Sequence, residues 1–210
     1  KNPDFPQAIF LATKLIVNSR NNSEAIYISR KLASLSTRRN QIGIDAIRHM
    51  TLINLLEPIS QNGLERCIEL LRSNSSSEPI DFLRVFALLY TKTNNPSKQN
   101  FIISQCSSMF NLDDKKELLI LSNWLGKLGA FEYLIYYVPA SKAKVDEDLF
   151  KLRMSALARL GDTERISQEL NDAPIIPLIW RLVVEARSLS MSNRFDEARK
   201  TIDRLLPLIS

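Results

Sequence analysis

Apolar residues recur along this chain at spacings of three and four, which places them on one face of an α-helix. The clearest segments are 82–90 (FLRVFALLY), 118–128 (LLILSNWLGKL), 149–160 (LFKLRMSALARL) and 178–189 (LIWRLVVEARSL). No stretch alternates with a period of two for long enough to predict a strand. The pattern therefore predicts an all-α protein built from amphipathic helices.

Proline and glycine mark the expected ends of these helices. Gly63, Gly129 and Gly161 stand at polar breaks between apolar segments, and proline is tolerated best in the first turn of a helix or beyond its end. The prolines fall at or near such positions: Pro3, Pro6, Pro58, Pro79, Pro96, Pro139, Pro174, Pro177 and Pro207. The predicted N-caps are Asn95, Asp113, Asp146 and Asp162.

One type of segment recurs at a nearly constant distance. A polar or glycine break, a few polar residues and then apolar residues at helical spacing occur in 61–71, 128–138, 160–170 and 192–206. The breaks are 32 to 34 residues apart when they are marked at Asn62, Asn95, Gly129, Gly161 and Asn193. A fixed period in this range indicates stacked helix hairpins, none of which buries its apolar face without its neighbours.

The last of these segments shows a turn residue, an aromatic, a small residue and two large apolar residues, at Asn193, Phe195, Ala198, Ile202 and Leu205. This pattern resembles the tetratricopeptide repeat, a two-helix unit of about 34 residues. The resemblance is clearer over 113–210, degenerate over 41–112, and leaves 1–40 as an irregular N-terminal hairpin. Within the degenerate part, 93–110 departs from the pattern like an insertion of one or two residues. The resemblance implies one helical-repeat domain over 1–210, a right-handed α-solenoid of about five to six antiparallel helix hairpins.

The resemblance also implies a binding surface, because in that family the first helices of successive hairpins line a concave groove. The residues expected to contact a partner there are Lys116, Asn123, Lys127, Lys151, Arg159, Trp180 and Arg187. Such a basic, amide and aromatic surface suits a protein or peptide partner. A lysine–asparagine clamp for a C-terminal carboxylate is not expected, because Leu119 replaces the lysine. The alternative for Trp180 is that it packs between neighbouring hairpins.

The charge of the chain gives an alternative function. The net charge is +5, and residues 1–60 hold eight Lys or Arg against four Asp or Glu, which is +4. A basic N-terminal end, with 29–39 (SRKLASLSTRR) as its core, could bind nucleic acid or another acidic partner. The related pentatricopeptide arrays read RNA through regular polar positions, and no such regularity occurs here. A solvated helix face explains the same charge more simply.

Few residues suit catalysis or cofactor binding. Cys67 and Cys106 form no CxxC pair, and His49, the single histidine, lies in a first-helix pattern that favours packing over a role as general base. There is no glycine-rich phosphate loop and no apolar run of the ~20 residues that a bilayer span needs. We therefore expect a non-catalytic protein–protein interaction module without cofactor, metal or membrane span. Because the chain begins at Lys1, we expect it to be part of a larger protein.

The repeat pattern predicts that Ala198 is buried where two helices approach closely, as the small residue of its segment. Ala198→Leu should then overpack that contact and lower the free energy of unfolding by about 1–3 kcal/mol. Urea denaturation followed by circular dichroism measures this loss. An unchanged midpoint would mean that the repeat pattern is misaligned at this position.

Overall fold

The computed structural model describes residues 5–171 and 176–209, and within these ranges it contains helices and no strand, as predicted. The helices are α1 (Pro6–Ser19), α2 (Asn22–Ser36), α3 (Gln41–Ile53), α4 (Gln61–Arg72), α5 (Pro79–Thr91), α6 (Pro96–Ser107), α7 (Lys115–Leu128), α8 (Phe131–Tyr137), α9 (Ala140–Ala143), α10 (Glu147–Leu160), α11 (Thr163–Asn171), α12 (Leu178–Met191) and α13 (Phe195–Ile209). None of these helices in the described ranges has the length and apolar character required to cross a bilayer.

The chain divides into two compact units, residues 1–110 and 111–210. In the first unit α1 packs against α2 and α3, α3 also packs against α2 and α5, and α5 packs against α4 and α6. In the second unit α7 packs against α8 and α10, α10 packs against α8, α9 and α11, and α12 packs against α11 and α13. One pairing differs from a simple series of hairpins, because α4 packs mainly against α5 rather than against α3.

The cores of both units follow the predicted apolar spacing. In α5 the buried residues are Phe82, Val85, Phe86 and Leu89, with Asp81 as the polar exception. In α10 they include Phe150, Met154 and Leu157, again three and four positions apart. Ala198 is 5% exposed, so its predicted burial is confirmed, and Cys67 is 2% exposed.

The predicted breaks of the second unit are left-handed turns. Gly129 and Gly161 both have φ 74° and follow α7 and α10, and Asn193 follows α12 with φ 58°. Glycine and asparagine adopt this conformation at the lowest steric cost, which explains their presence after a helix. In the first unit Arg20 has φ 54° directly after α1. The sequence pattern of a break therefore corresponds to a reversal of the chain between two helices.

Gly63 was expected at a break, and this prediction was wrong because Gly63 lies inside α4. The Ser60 side chain accepts a hydrogen bond of 3.1 Å from the Gly63 N–H and so starts the helix earlier. A methyl group on Gly63 would lie 2.8 Å from Cγ2 of Ile59. The absence of a side chain at this position thus serves packing and not a turn.

Three of the four predicted N-caps are confirmed, since the side chains of Asn95, Asp146 and Asp162 each accept a backbone N–H three residues on. The fourth was wrong by one residue. Asp114 caps α7 by accepting from the Glu117 N–H at 2.9 Å, whereas Asp113 binds the Lys142 ammonium. The Glu117 carboxylate accepts in return from the Asn111 N–H, which fixes the start of α7 after Asp114.

Most of the prolines lie at helix boundaries, as predicted. Pro6, Pro79 and Pro96 begin α1, α5 and α6, where the missing N–H costs least. Pro207 differs, because it lies inside α13, close to its end. Pro3 and Pro174 lie outside the described residues.

Two side-chain pairs of the first unit are hydrogen-bonded between helices across 33 positions. The Arg48 guanidinium binds both carboxylate oxygens of Asp81, at 2.6 and 2.9 Å, and so joins α3 to α5 across 33 positions. Arg72 donates to Gln105, also 33 positions away, and joins α4 to α6. Asp81 is 1% exposed, so its ion pair with Arg48 orients α3 and α5 as well as joining them.

In the second unit the Arg153 guanidinium donates to backbone carbonyls at the end of α8 that have no helical N–H partner. Pro139 ends α8 because it has no N–H to offer the Ile135 carbonyl. Nη1 of Arg153 donates to the carbonyls of Ile135 and Val138, at 3.1 and 2.8 Å. Its Nε and Nη2 donate to the two carboxylate oxygens of Glu169, each at 2.7 Å. One guanidinium on α10 therefore holds the end of α8 and the side of α11.

Glu169→Ala should destabilise the protein strongly, because it leaves the Arg153 guanidinium, 7% exposed, without its anion. Removing one partner of a buried ion pair costs about 3–5 kcal/mol, measured by urea denaturation at neutral pH. Glu164→Ala is the matched control, since Glu164 lies exposed on the same helix and its loss should cost less than about 1 kcal/mol. Equal losses in the two variants would contradict this role of Arg153.

Candidate functional site

The residues predicted to contact a partner all lie on three helices of the second unit. Lys116, Asn123 and Lys127 are on α7, Lys151 and Arg159 are on α10, and Trp180 and Arg187 are on α12. Lys151 and Trp180 are half-buried and the other five side chains are exposed. All seven positions are therefore outside the core.

Three of these residues border one depression, which we call the α7–α10 depression. It has a volume of about 290 Å³. Its polar lining comes from Asn123, Lys127, Ser155 and Arg159, on α7 and α10. Its apolar lining includes Phe131, Leu134, Leu152 and Ala156. A polar chain with one apolar side chain would find complementary groups here, because cations and amides surround a small apolar floor.

The α7–α10 depression has a positive electrostatic character. Its described lining carries the Lys127 and Arg159 cations and no carboxylate. Neither cation forms an ion pair or side-chain hydrogen bond within the described part of the chain. Elsewhere in this unit cations are engaged, as in the Lys142–Asp113 and Lys115–Asp146 pairs. Lys127 and Arg159 thus remain available to an anionic group from outside.

Asn123 is held in place by its own helix. Its Nδ2 donates to the Leu119 carbonyl at 2.8 Å, which leaves the second N–H and the side-chain oxygen for a ligand. Ser155 lies across the depression on α10 and is exposed. A ligand here can therefore meet an acceptor, a hydroxyl and two cations within one small surface.

The other predicted residues do not line this depression. The Lys151 ammonium is 2.5 Å from the Glu147 carboxylate on the preceding turn of α10, so its charge is partly neutralised. The Trp180 ring packs edge to face on Phe150, with the ring centroids 6.1 Å apart. Trp180 therefore takes part in packing, which was the alternative for this residue. Lys116 and Arg187 are exposed on α7 and α12.

Sequence reasoning missed the apolar part of the surface. Leu152 follows Lys151 directly, and Phe131 lies within the recurring segment 128–138. A second, larger depression in the first unit was also missed. Its one visible signal was Phe101, an aromatic residue in the segment that departs from the repeat pattern.

The two cysteines are core residues. Burial raises the pKa of the Cys67 thiol to about 11 and raises that of Cys106 as well, so both are protonated at neutral pH and poor nucleophiles. No cluster of His, Cys, Asp and Glu within the described ranges could hold a metal ion. These thiols contribute to packing as small apolar groups.

His49 lies against α1. Its ring stacks on Phe10 with centroids 4.6 Å apart and planes inclined by 2°, and its Nδ1 is buried without a hydrogen-bond partner among the described residues. Burial and the nearby Lys14 ammonium lower the pKa of His49, while Asp45 acts in the opposite direction. His49 is therefore a packed neutral imidazole between α1 and α3.

No protein-family model, curated protein or solved structure matches this chain. Its function is accordingly inferred from its own side chains. The α7–α10 depression brings together three of the seven predicted contact residues, Asn123, Lys127 and Arg159.

The lowered pKa of His49 predicts an acid-sensitive stability. Unfolded His49 binds a proton at a higher pH than folded His49, so the free energy of unfolding falls as the pH decreases through the ordinary histidine pKa of about 6.5. The melting temperature should drop between about pH 7.5 and 5.5. His49→Phe keeps the stacking on Phe10 and removes the titration, so its melting temperature should depend less on pH. Melting temperatures measured by circular dichroism that change equally with pH in the two proteins would contradict this prediction.

Proposed function

We propose that this chain is a non-catalytic interaction module. The exposed faces of its helices α7 and α10 bind a protein or peptide segment that carries acidic side chains. The observation that carries this proposal is the α7–α10 depression, in which Lys127 and Arg159 lie together without a carboxylate. Arg187 on α12 is a further exposed cation of the second unit. Lys116 and Lys151 would contribute at the edges of the α7 and α10 surface.

The proposal includes a tetratricopeptide-like stacking of helix pairs. It is supported by the left-handed turns at Gly129, Gly161 and Asn193, which recur every 32 residues. It is also supported by the ion pair of Arg48 with Asp81, 33 positions apart. In such an array, first helices present successive rows of side chains to one partner.

Two features of the depression favour a peptide over a free anion. Its apolar lining, with Phe131 and Leu152, would bury an aliphatic or aromatic side chain. Its cations belong to different helices, so a chain with two carboxylates can bridge Lys127 and Arg159 at once. Arginine can hold a carboxylate through two parallel hydrogen bonds, which adds geometric selectivity.

The test begins with a random peptide library selected on the immobilised 210-residue chain. We expect enrichment of peptides that combine Asp or Glu with a large apolar residue. The charge reversal Lys127→Glu with Arg159→Glu should weaken the binding of a selected peptide by about tenfold or more, measured by fluorescence anisotropy. Circular dichroism should show unchanged helicity, because both side chains are exposed.

The matched control reverses one lysine and one arginine on α13, through Lys200→Glu and Arg204→Glu, both exposed. This variant has the same net charge as the first and should retain peptide affinity. Equal losses of peptide affinity in both variants would mean that net charge, and not the α7–α10 depression, determines binding. If the chain binds nucleic acid with a steep, log-linear salt dependence and selects no peptide, the basic N-terminal end is favoured instead.

A further inference from the structure

The first unit contains a depression that the proposed function does not use. It lies among α4, α5 and α6, has a volume of about 530 Å³, and is called here the α4–α6 depression. Its apolar residues are Ile68, Phe86, Leu89, Phe101 and Ile102. This volume is within the range of about 300–1,000 Å³ found for ligand sites.

The depression exists because α4 and α6 do not pack closely on one another. Both helices contact α5, and the Arg72–Gln105 hydrogen bond of 2.9 Å joins them to each other. Phe86 of α5 is 3% exposed and lies in the floor, whereas Phe101 of α6 is 65% exposed and lies in the wall. A largely exposed phenylalanine beside a buried apolar floor marks a surface that a partner can cover.

The rim of the depression is polarised. Glu65 and Glu69 lie on α4, four positions apart, and Lys98 lies on α6. Glu65 and Lys98 form no ion pair within the described part of the chain, although both line the depression. The other cation of the lining, Arg72, lies at the end of α4 and donates to the neutral Gln105 amide. The α4 wall therefore carries two anions and one cation, and the α6 wall carries one cation.

The walls also determine the backbone form of the occupant. They consist of helices, whose backbone N–H and C=O groups are already paired, so an extended chain would find no strand edge to pair with. A helix satisfies its own backbone groups and presents apolar side chains at spacings of three and four. A helix in an apolar groove is thus the binding mode that these walls favour.

We infer that the α4–α6 depression binds an amphipathic helix of a partner protein. Its apolar face lies on Ile68, Phe86 and Phe101. Its basic flank faces Glu65 and Glu69, and its acidic flank faces Lys98. The site is independent of the α7–α10 depression, because the two share no residue.

Two synthetic helical peptides of about 15 residues test this inference on the whole chain. Both carry the same leucine face, and one has lysines on one flank and glutamates on the other, while the second has glutamates on both flanks. Fluorescence anisotropy on the Lys127→Glu, Arg159→Glu chain, whose α7–α10 depression has lost its cations, should show that the mixed peptide binds about threefold or more tightly than the acidic peptide. Glu65→Lys with Glu69→Lys should invert this preference, because the rim then carries cations on both walls.

Phe101→Ala should weaken the binding of the mixed peptide by about fivefold or more, because it removes the exposed aromatic wall. Lys127→Glu with Arg159→Glu is the control and should bind the mixed peptide as tightly as wild type. A loss of affinity in this control would place the peptide at the α7–α10 depression of the proposed function. Circular dichroism verifies that each variant is folded. The inference is wrong if neither peptide binds wild type up to about 1 mM, if the charge reversal leaves the preference as it was, or if Phe101→Ala binds as tightly as wild type.

Discussion

The second unit depends on how one buried guanidinium, that of Arg153, is satisfied. A cation with 7% exposure loses its hydration, and its burial is tolerated only when all its donors find acceptors. The Pro139 break supplies two free carbonyls, and Glu169 supplies the anion. Each of these groups would be unfavourable alone: a broken helix end, a buried cation and a carboxylate near the core. Together they fix α8, α10 and α11 around a single side chain.

Among the described residues some cations are paired with a carboxylate, whereas others have no such partner. Arg48 and Arg153 each bind a carboxylate through two parallel hydrogen bonds, and both join different helices. Lys127 and Arg159 have the same charge but lie at an apolar depression without a carboxylate. Composition alone cannot tell the two groups apart, because a charge becomes structural only through the neighbour that the fold places beside it.

The helices could be predicted because apolar spacing and turn residues are local signals. Gly129, Gly161 and Asn193 identified left-handed turns for the same reason. The prediction of a break at Gly63 was wrong because the missing side chain leaves room for Ile59 and does not form a turn. A sequence pattern does not indicate a contact of this kind. The Arg153–Glu169 pair was not anticipated, since it depends on the carbonyls that Pro139 leaves free. Likewise, the α4–α6 depression arises from the distance between two helices, which no residue type specifies.

Among the described residues, hydrogen bonds between side chains of different helices span 10 to 33 positions, from Arg181–Asn171 to Arg48–Asp81. Contacts so close in sequence give a low contact order, and proteins of this kind form their native contacts quickly. A helix emerging during synthesis finds its partner within the next helix or two, before the remainder of the chain exists. Native structure can therefore accumulate from the N-terminus onward, and the time during which apolar faces remain open to aggregation is short.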